Sequence, residues 1–229
     1  MSDSKKVILF IVEGASDQLA LEGILNSLFK KYKKIRFQVV NTDITSDKES
    51  NANNITKKIH QQIKAKCRIE GLFESDISRI VHLVDMDGAY VLDEHIVASD
   101  KEQAFYTEDQ IQAPFVEQMK KRNKRKSSIL DVLAGLKEVE AIPYCVYYFS
   151  CNLEHVLQNI QNAPSDQKIE WAENFAESFY DEPKNFIEFM HHIDFMVAGD
   201  YVATWDFIKQ GTNSLHRHCN FHLFFDEYE

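Results

Sequence analysis

Lys6-Val7-Ile8-Leu9-Phe10-Ile11-Val12-Glu13-Gly14 and Ile80-Val81-His82-Leu83-Val84-Asp85-Met86-Asp87-Gly88 decide how this chain folds. Each is a short apolar run that stops at an acid and a glycine. Unbroken hydrophobicity over a strand's length marks strands covered on both faces, as in a parallel sheet. Ligands gather just beyond the carboxyl ends of such strands, and Glu13, Asp85 and Asp87 fall there. In extended chain, residues two apart point to the same side, roughly 7 Å from each other. Asp85 and Asp87 can therefore flank one cation, and Glu13 joins them if the first and third strands are neighbours. Like charges so close repel, and a divalent cation relieves the repulsion. An all-oxygen donor set suits Mg²⁺. Gly14 and Gly88 let the backbone turn sharply and approach a phosphate. The pattern points to metal-assisted phosphate chemistry.

Outward from these runs, elements alternate. The first strand leads into a helix with Ser16 expected at its N-cap and Asp17 in its first turn. Leu21, Ile24, Leu25, Leu28 and Tyr32 fall on one helical face. A second strand is expected over Ile35–Val40, ending at Asn41-Thr42-Asp43. A polar loop precedes a helix carrying Ile55, Ile59 and Ile63, which Gly71 closes. Strand, helix, strand, helix, strand makes βαβ units and an α/β fold with a parallel sheet. Residues 86–126 read as polar and irregular, a lid or insertion. Ser128–Val139 reads as a helix and Ile142–Phe149 as a fourth strand, with Pro143 near its start, where a missing N–H is tolerated. From Asn152 the pattern is helical, with one helix opened by Pro183 and carrying Phe186, Phe189, Met190 and Ile193. A boundary near residues 150–165 follows.

Composition sets further limits. At 229 residues and 44% hydrophobic, the chain can bury a substantial core. The apolar run near its start is too short for a membrane span or a secretory signal. Cys67, Cys145, Cys151 and Cys219 show no C-x-x-C spacing, so a reduced, cytoplasmic setting is expected. A net charge of −10 argues against non-specific coating of nucleic acid. One local basic patch remains: Lys120, Lys121, Arg122, Lys124, Arg125 and Lys126, read either as a solvated loop or as a nucleic-acid contact.

Val12-Glu13-Gly14 and Val84-Asp85-Met86-Asp87-Gly88 resemble the motifs of the Toprim domain, shared by topoisomerases, bacterial primases and several nucleases. The resemblance covers about the first hundred residues. It implies that Glu13 acts as general acid/base or metal ligand, while Asp85 and Asp87 hold Mg²⁺ or Mn²⁺. Glu13-Gly14-Ala15-Ser16-Asp17 and Asn152-Leu153-Glu154-His155 resemble the nuclease branch, the overcoming-lysogenization-defect family and small Toprim proteins of phage defence. That likeness implies a second metal on Asp17 and Glu154, and two metals roughly 4 Å apart can activate water and stabilise the leaving oxygen. Both acids also suit the first turn of a helix, whose dipole favours negative charge. They can meet only if the fourth strand lies beside the first. The nuclease family uses a C-terminal basic residue near the phosphate, for which Lys209 and Arg217 are candidates.

The resemblance implies a Toprim-like parallel sheet of about four strands flanked by helices. Its catalytic domain would span residues 1–160 with an insertion at about 88–127, followed by a helical extension over 161–229. The implied function is a metal-dependent nuclease acting on DNA or RNA, the effector of a phage-defence system with a partner ATPase. The chain has no G-x-x-x-x-G-K-[ST] of its own, and the resemblance leaves room for a homodimer.

Other readings compete. Asp85-Met86-Asp87-Gly88-Ala89 resembles the nucleophile motif of haloacid-dehalogenase-type phosphatases. There the motif sits on the first strand, and here Gly199-Asp200-Tyr201-Val202-Ala203-Thr204 lacks the second acid that a later loop should carry. A Toprim fold serving only as a binding or sensor module is a further class. His218 and His222, at i and i+4, would share a helix face and suggest zinc. Leu215, Phe221, Leu223 and Phe224 between and around them instead suggest an amphipathic helix whose histidines pack or face solvent.

Overall fold

The computed structural model describes residues 7–30, 34–39 and 44–227. Lys6, Tyr32, Val40 and the Asn41-Thr42-Asp43 strand end lie outside these residues. Strand β1 (Val7–Val12) leads into helix α1 (Ala15–Phe29), then β2 (Lys34–Val39), α2 (Ile55–Glu70) and β3 (Ile77–Asp85). Ala20, Leu21, Ile24, Leu25 and Phe29 form the buried face of α1, the stripe that helical spacing of apolar residues requires. Its N-cap is Gly14 rather than Ser16. Asp17 Oδ2 accepts the Gly14 N–H at 2.9 Å, so a carboxylate satisfies this end of the chain. Helix α2 ends as expected on Gly71, whose φ of +64° costs glycine little.

After β3 the structure departs from the sequence reading. Residues 86–126 are not irregular: β4 (Ile96–Ala98), β5 (Phe105–Tyr106) and β6 (Ile111–Ala113) form a small sheet in the order β4-β6-β5. Helix α3 (Val116–Gly135) then takes in the whole basic run, which is therefore helical and not a loop. It closes at Gly135, and Glu138–Val139 forms β7 instead of its last turn. The charge run hid an amphipathic helix: Asn123, Lys126, Ile129, Leu130 and Leu133 all face inward.

β8 (Ile142–Phe149) completes a five-stranded sheet ordered β2-β1-β3-β8-β7. The first four strands are parallel and β7 is antiparallel to β8. The sheet is thus mixed, where four parallel strands were expected. Glu140 and Ala141 both have positive φ, 49° and 66°, the conformation of the tight turn that joins two antiparallel strands. The remaining helices are α4 (Leu153–Gln158), α5 (Lys168–Ser178), α6 (Asn185–Met190), α7 (Tyr201–Ile208) and α8 (His222–Asp226). No helix among the described residues is long and apolar enough to cross a membrane.

Helices cover both faces of the sheet, which is why β1 is apolar throughout. Ile8, Phe10 and Val12 pack with Leu21, Leu25, Phe186 and Phe224. Leu9 and Ile11 pack on the other side with Ile59, Ile63, Leu133 and Trp205. The segment after residue 160 contributes to both layers, through Phe175, Phe186 and Phe224 on one and Trp205 and Ile208 on the other. Phe10 meets Phe224 edge-on at 5.4 Å, the geometry that aromatic quadrupoles favour.

Two C-terminal expectations change. Helix α6 stops at Met190, and Ile193 lies beyond it in the open. The histidine segment is not one helix: His218 precedes α8, and His222 begins it. This segment instead walls the end of β8. Ser150 N–H donates to His218 O at 2.8 Å, and Cys151 N–H to Ser214 O at 3.2 Å. Burial pulls the His218 and His222 imidazoles down to about 4, so both are neutral in the folded protein at pH 7.

Gly88 is fixed by shape. Its φ is +65°, and a Cβ there would lie 2.7 Å from Leu215 Cδ2 and 2.8 Å from Ile111 Cδ1. Both neighbours are fully buried. Gly88→Ala should therefore cost about 2–4 kcal/mol, the left-handed penalty plus overpacking. Equilibrium denaturation would check it, with an unchanged midpoint as the contrary result.

Candidate metal centre

The parallel order β1-β3-β8 brings three strand ends to one edge, and the acids that follow them with it. Glu13 Oε1 accepts the Asp85 N–H at 3.3 Å. Asp85 Oδ1 accepts the Leu153 N–H at 3.0 Å, at the start of α4. Glu13, Asp85 and the Leu153-Glu154 turn are thus neighbours. Pairing continues past the strands: Met86 N–H donates to Phe149 O at 3.0 Å and Asp87 N–H to Cys151 O at 2.8 Å. Asp87 and Cys151 have φ of 47° and 60°. Two facing non-glycine residues in the left-handed region are costly, and such strain collects at functional sites.

Asp87 does not point where the sequence reading put it. Its Oδ2 accepts Lys126 Nζ at 2.6 Å and lies 3.2 Å from Arg122 Nη1, while its carbonyl accepts Arg122 Nη2 at 2.9 Å. Asn123 Nδ2 donates to Gly88 O at 3.0 Å. The inward face of α3 therefore clamps the Asp87-Gly88 turn. Lys126 is 0% exposed, so it serves Asp87 and is withdrawn from the expected nucleic-acid contact, while Arg122 reaches Asp87 from a side chain that stays partly exposed. Lys120 pairs with Glu117, Lys121 and Lys124 remain outward, and Arg125 donates to Ser46 O at 2.7 Å.

Asp17 and Glu154 lie within electrostatic reach of each other, although β8 lies beside β3 and not beside β1. Helix α4 turns back far enough for the Glu154 charge to act on Asp17. Burial, with Glu154 adding to it, pushes the Asp17 carboxyl up to about 6 against the pull of the Gly14 N–H and Lys168. Asp85 is pushed well above the usual carboxylate range by burial, then by Asp17, Asp87 and Glu154, with Lys126 opposing. Four acids thus share one electrostatic environment. Glu154 is 4% exposed and neither of its oxygens makes a hydrogen bond, Oε1 facing Lys168 Nζ at 3.0 Å as an ion pair.

The acids do not yet form a ready metal cage. Among the described residues no three His, Cys, Asp or Glu side chains converge closely enough to hold one ion. The expected convergence of Glu13, Asp85 and Asp87 is incomplete because Asp87 is drawn to α3. The C-terminal basic candidates lie elsewhere: Lys209 pairs with Asp131, and Arg217 donates to the Val156 carbonyl. Lys168 and Lys126 are the ammonium groups at the site. Lys168 gave no local signal in the sequence, whereas the i, i+4 spacing of Arg122 and Lys126 would have placed both on one helix face. Comparison with protein-family models, curated proteins and solved structures finds no match.

The raised Asp17 carboxyl predicts a pH effect. In chelator, Asp17→Asn should be more stable than the wild type above pH 7, by on the order of 2 kcal/mol. Asparagine can still accept the Gly14 N–H. A carboxyl whose folded pKa is raised to about 6 from 3.8 destabilises the fold when ionised. The penalty fades as pH falls through 6 and is gone near 4, so the two proteins should converge there. Parallel stability curves for the two from pH 4 to 8 would contradict the assignment.

Proposed function

We propose that this chain is a Toprim-fold nuclease that hydrolyses phosphodiester bonds of DNA or RNA with Mg²⁺ or Mn²⁺. The observation that carries the reading is one sheet edge holding Glu13, Asp85, Asp87, Asp17 and Glu154, with Glu154 buried and met by Lys168 Nζ at 3.0 Å. The donors fit a hard divalent cation: they are all carboxylate oxygens, and burial together with their mutual repulsion already raises Asp17 and Asp85. Asp85, with Glu13 and Asp87, would hold one ion, and Asp17 and Glu154 a second. When bound, such ions polarise the scissile phosphate and stabilise the leaving oxygen. Where Glu13 does not ligate the first ion, it would take the proton of the attacking water on a carboxylate oxygen. Lys126 and Lys168 balance the charge until the site is loaded. The likeness to phage-defence nucleases supports a cytoplasmic effector role beside a partner ATPase, acting singly or as a homodimer.

One observation favours a non-catalytic binding module instead. Lys126 and Lys168 already neutralise part of the acid cluster, and a scaffold neutralised in this way needs no metal. Cleavage of plasmid, single-stranded DNA and tRNA, with Mn²⁺ or with chelator, separates the two. The nuclease reading expects cleavage of at least one substrate with Mn²⁺ alone. No cleavage of any of them, together with no Mn²⁺ bound in a titration, would leave the binding module.

A further inference from the structure

Beside the Asp87 turn, along the partly exposed flank of α3, is a cavity of about 600 Å³, a size that holds a small organic ligand. One wall is a helical stripe, Gln118, Lys121, Arg122 and Arg125, and the other runs from Glu102 to Ala104 and from Ala113 to Phe115. Lys48 closes the rim. Lys48, Lys121 and Arg125, with Arg122 shared with Asp87, face the single carboxylate of Glu102 and make this a positive site on a chain of net charge −10. Phe115 stands 65% exposed at its mouth. Arg125 Nη2 donates to Ser46 O at 2.7 Å, which fixes this guanidinium in the cavity wall. Arg122 joins the cavity to the candidate metal centre, since the same guanidinium lies 3.2 Å from Asp87 Oδ2.

We infer that this cavity seats one nucleotide of a single-stranded substrate, with its base stacked on Phe115 and its phosphate against Lys121 and Arg125. The inference rests on the nuclease reading and adds the form of the substrate. An exposed aromatic ring beside cations is the combination that holds single strands: every base has a face to stack, and the cations track the backbone. A duplex keeps its bases stacked within the helix and cannot present one to Phe115. The strand enters over α3, and Arg122 places the next phosphate toward Asp87.

The test measures binding in chelator, without cleavage, using a short mixed-sequence single strand carrying 2-aminopurine, made as DNA and as RNA. Phe115→Ala should weaken binding about tenfold or more and abolish the fluorescence quench, while Phe115→Trp retains both. Lys121→Ala should lower the salt dependence of binding by about one phosphate contact. Equal binding by Phe115→Ala and wild type overturns the inference, even where Mn²⁺-dependent cleavage is intact. Adenosine monophosphate binding as tightly as the strand, or a duplex showing the same Phe115 dependence, overturns the single-strand assignment. Phe115-dependent strand binding by a wild type that cuts nothing keeps the cavity and removes the nuclease reading.

Discussion

Asp85→Asn should lower Mn²⁺-dependent cleavage on the order of a thousandfold, the loss expected when one ligand's share of metal stabilisation is several kcal/mol. The same variant should be more stable than the wild type in chelator, by about 1–2 kcal/mol. Asp85 is raised well above the carboxylate range by burial and by Asp17, Asp87 and Glu154, so removing its charge relieves the fold. Asparagine keeps an oxygen for the Leu153 N–H. Asp87→Asn should cost about as much activity but behave oppositely in stability. Its Oδ2 is the partner of Lys126 Nζ, an ammonium with no exposure. Taking away one member of such a pair strands the other charge, at about 3 kcal/mol. The two acids, two residues apart and alike in the sequence, are thus separated by what faces them. Two variants that shift stability in the same direction would show that the Lys126–Asp87 pair does not govern this turn.

Much of the architecture was legible because few solutions exist for a run such as Val7–Val12. Six apolar residues without helical periodicity need cover on both faces, and the two packed layers supply it. The ends of β1 and β3 were legible for the same reason, since polarity can resume only where cover stops. Other features were hidden by the choice of partner. Lys120–Lys126 carries charge on every side, so periodicity alone cannot tell a solvated run from a helix whose Lys126 finds a buried carboxylate. Nothing near Lys168 in the chain points to Glu154, because the loop between α4 and α5 sets their approach. The edge strand β7 rests on two left-handed residues, Glu140 and Ala141, neither of which is a turn-forming type. Asp17 and Glu154 come within electrostatic reach of each other although the strands that precede them are not neighbours.

Glu154→Gln tests whether that meeting is a second metal site. Metal stoichiometry under saturating Mn²⁺ should fall from two to one per chain, and cleavage should fall at least a hundredfold, on the order expected for loss of one of two metals. Glu154 is the acid for which a helix-terminus role explains least. It lies in the first turn of a six-residue helix, yet neither oxygen accepts a hydrogen bond, and Lys168 is the ion partner beside it. Lys168 is part exposed and can swing outward to admit a cation, whereas Lys126 is enclosed by α3 and the Asp87 turn. The site at Asp17 and Glu154 should therefore load with less rearrangement than the one at Asp85 and Asp87. Lys168→Met is the companion variant: by removing the competing ammonium it should tighten Mn²⁺ binding at this site and leave the other unchanged. If Glu154→Gln keeps full activity and still binds two ions, Glu154 is only the partner of Lys168 and ligates neither ion; full activity with one ion bound would mean that hydrolysis runs on a single-metal centre.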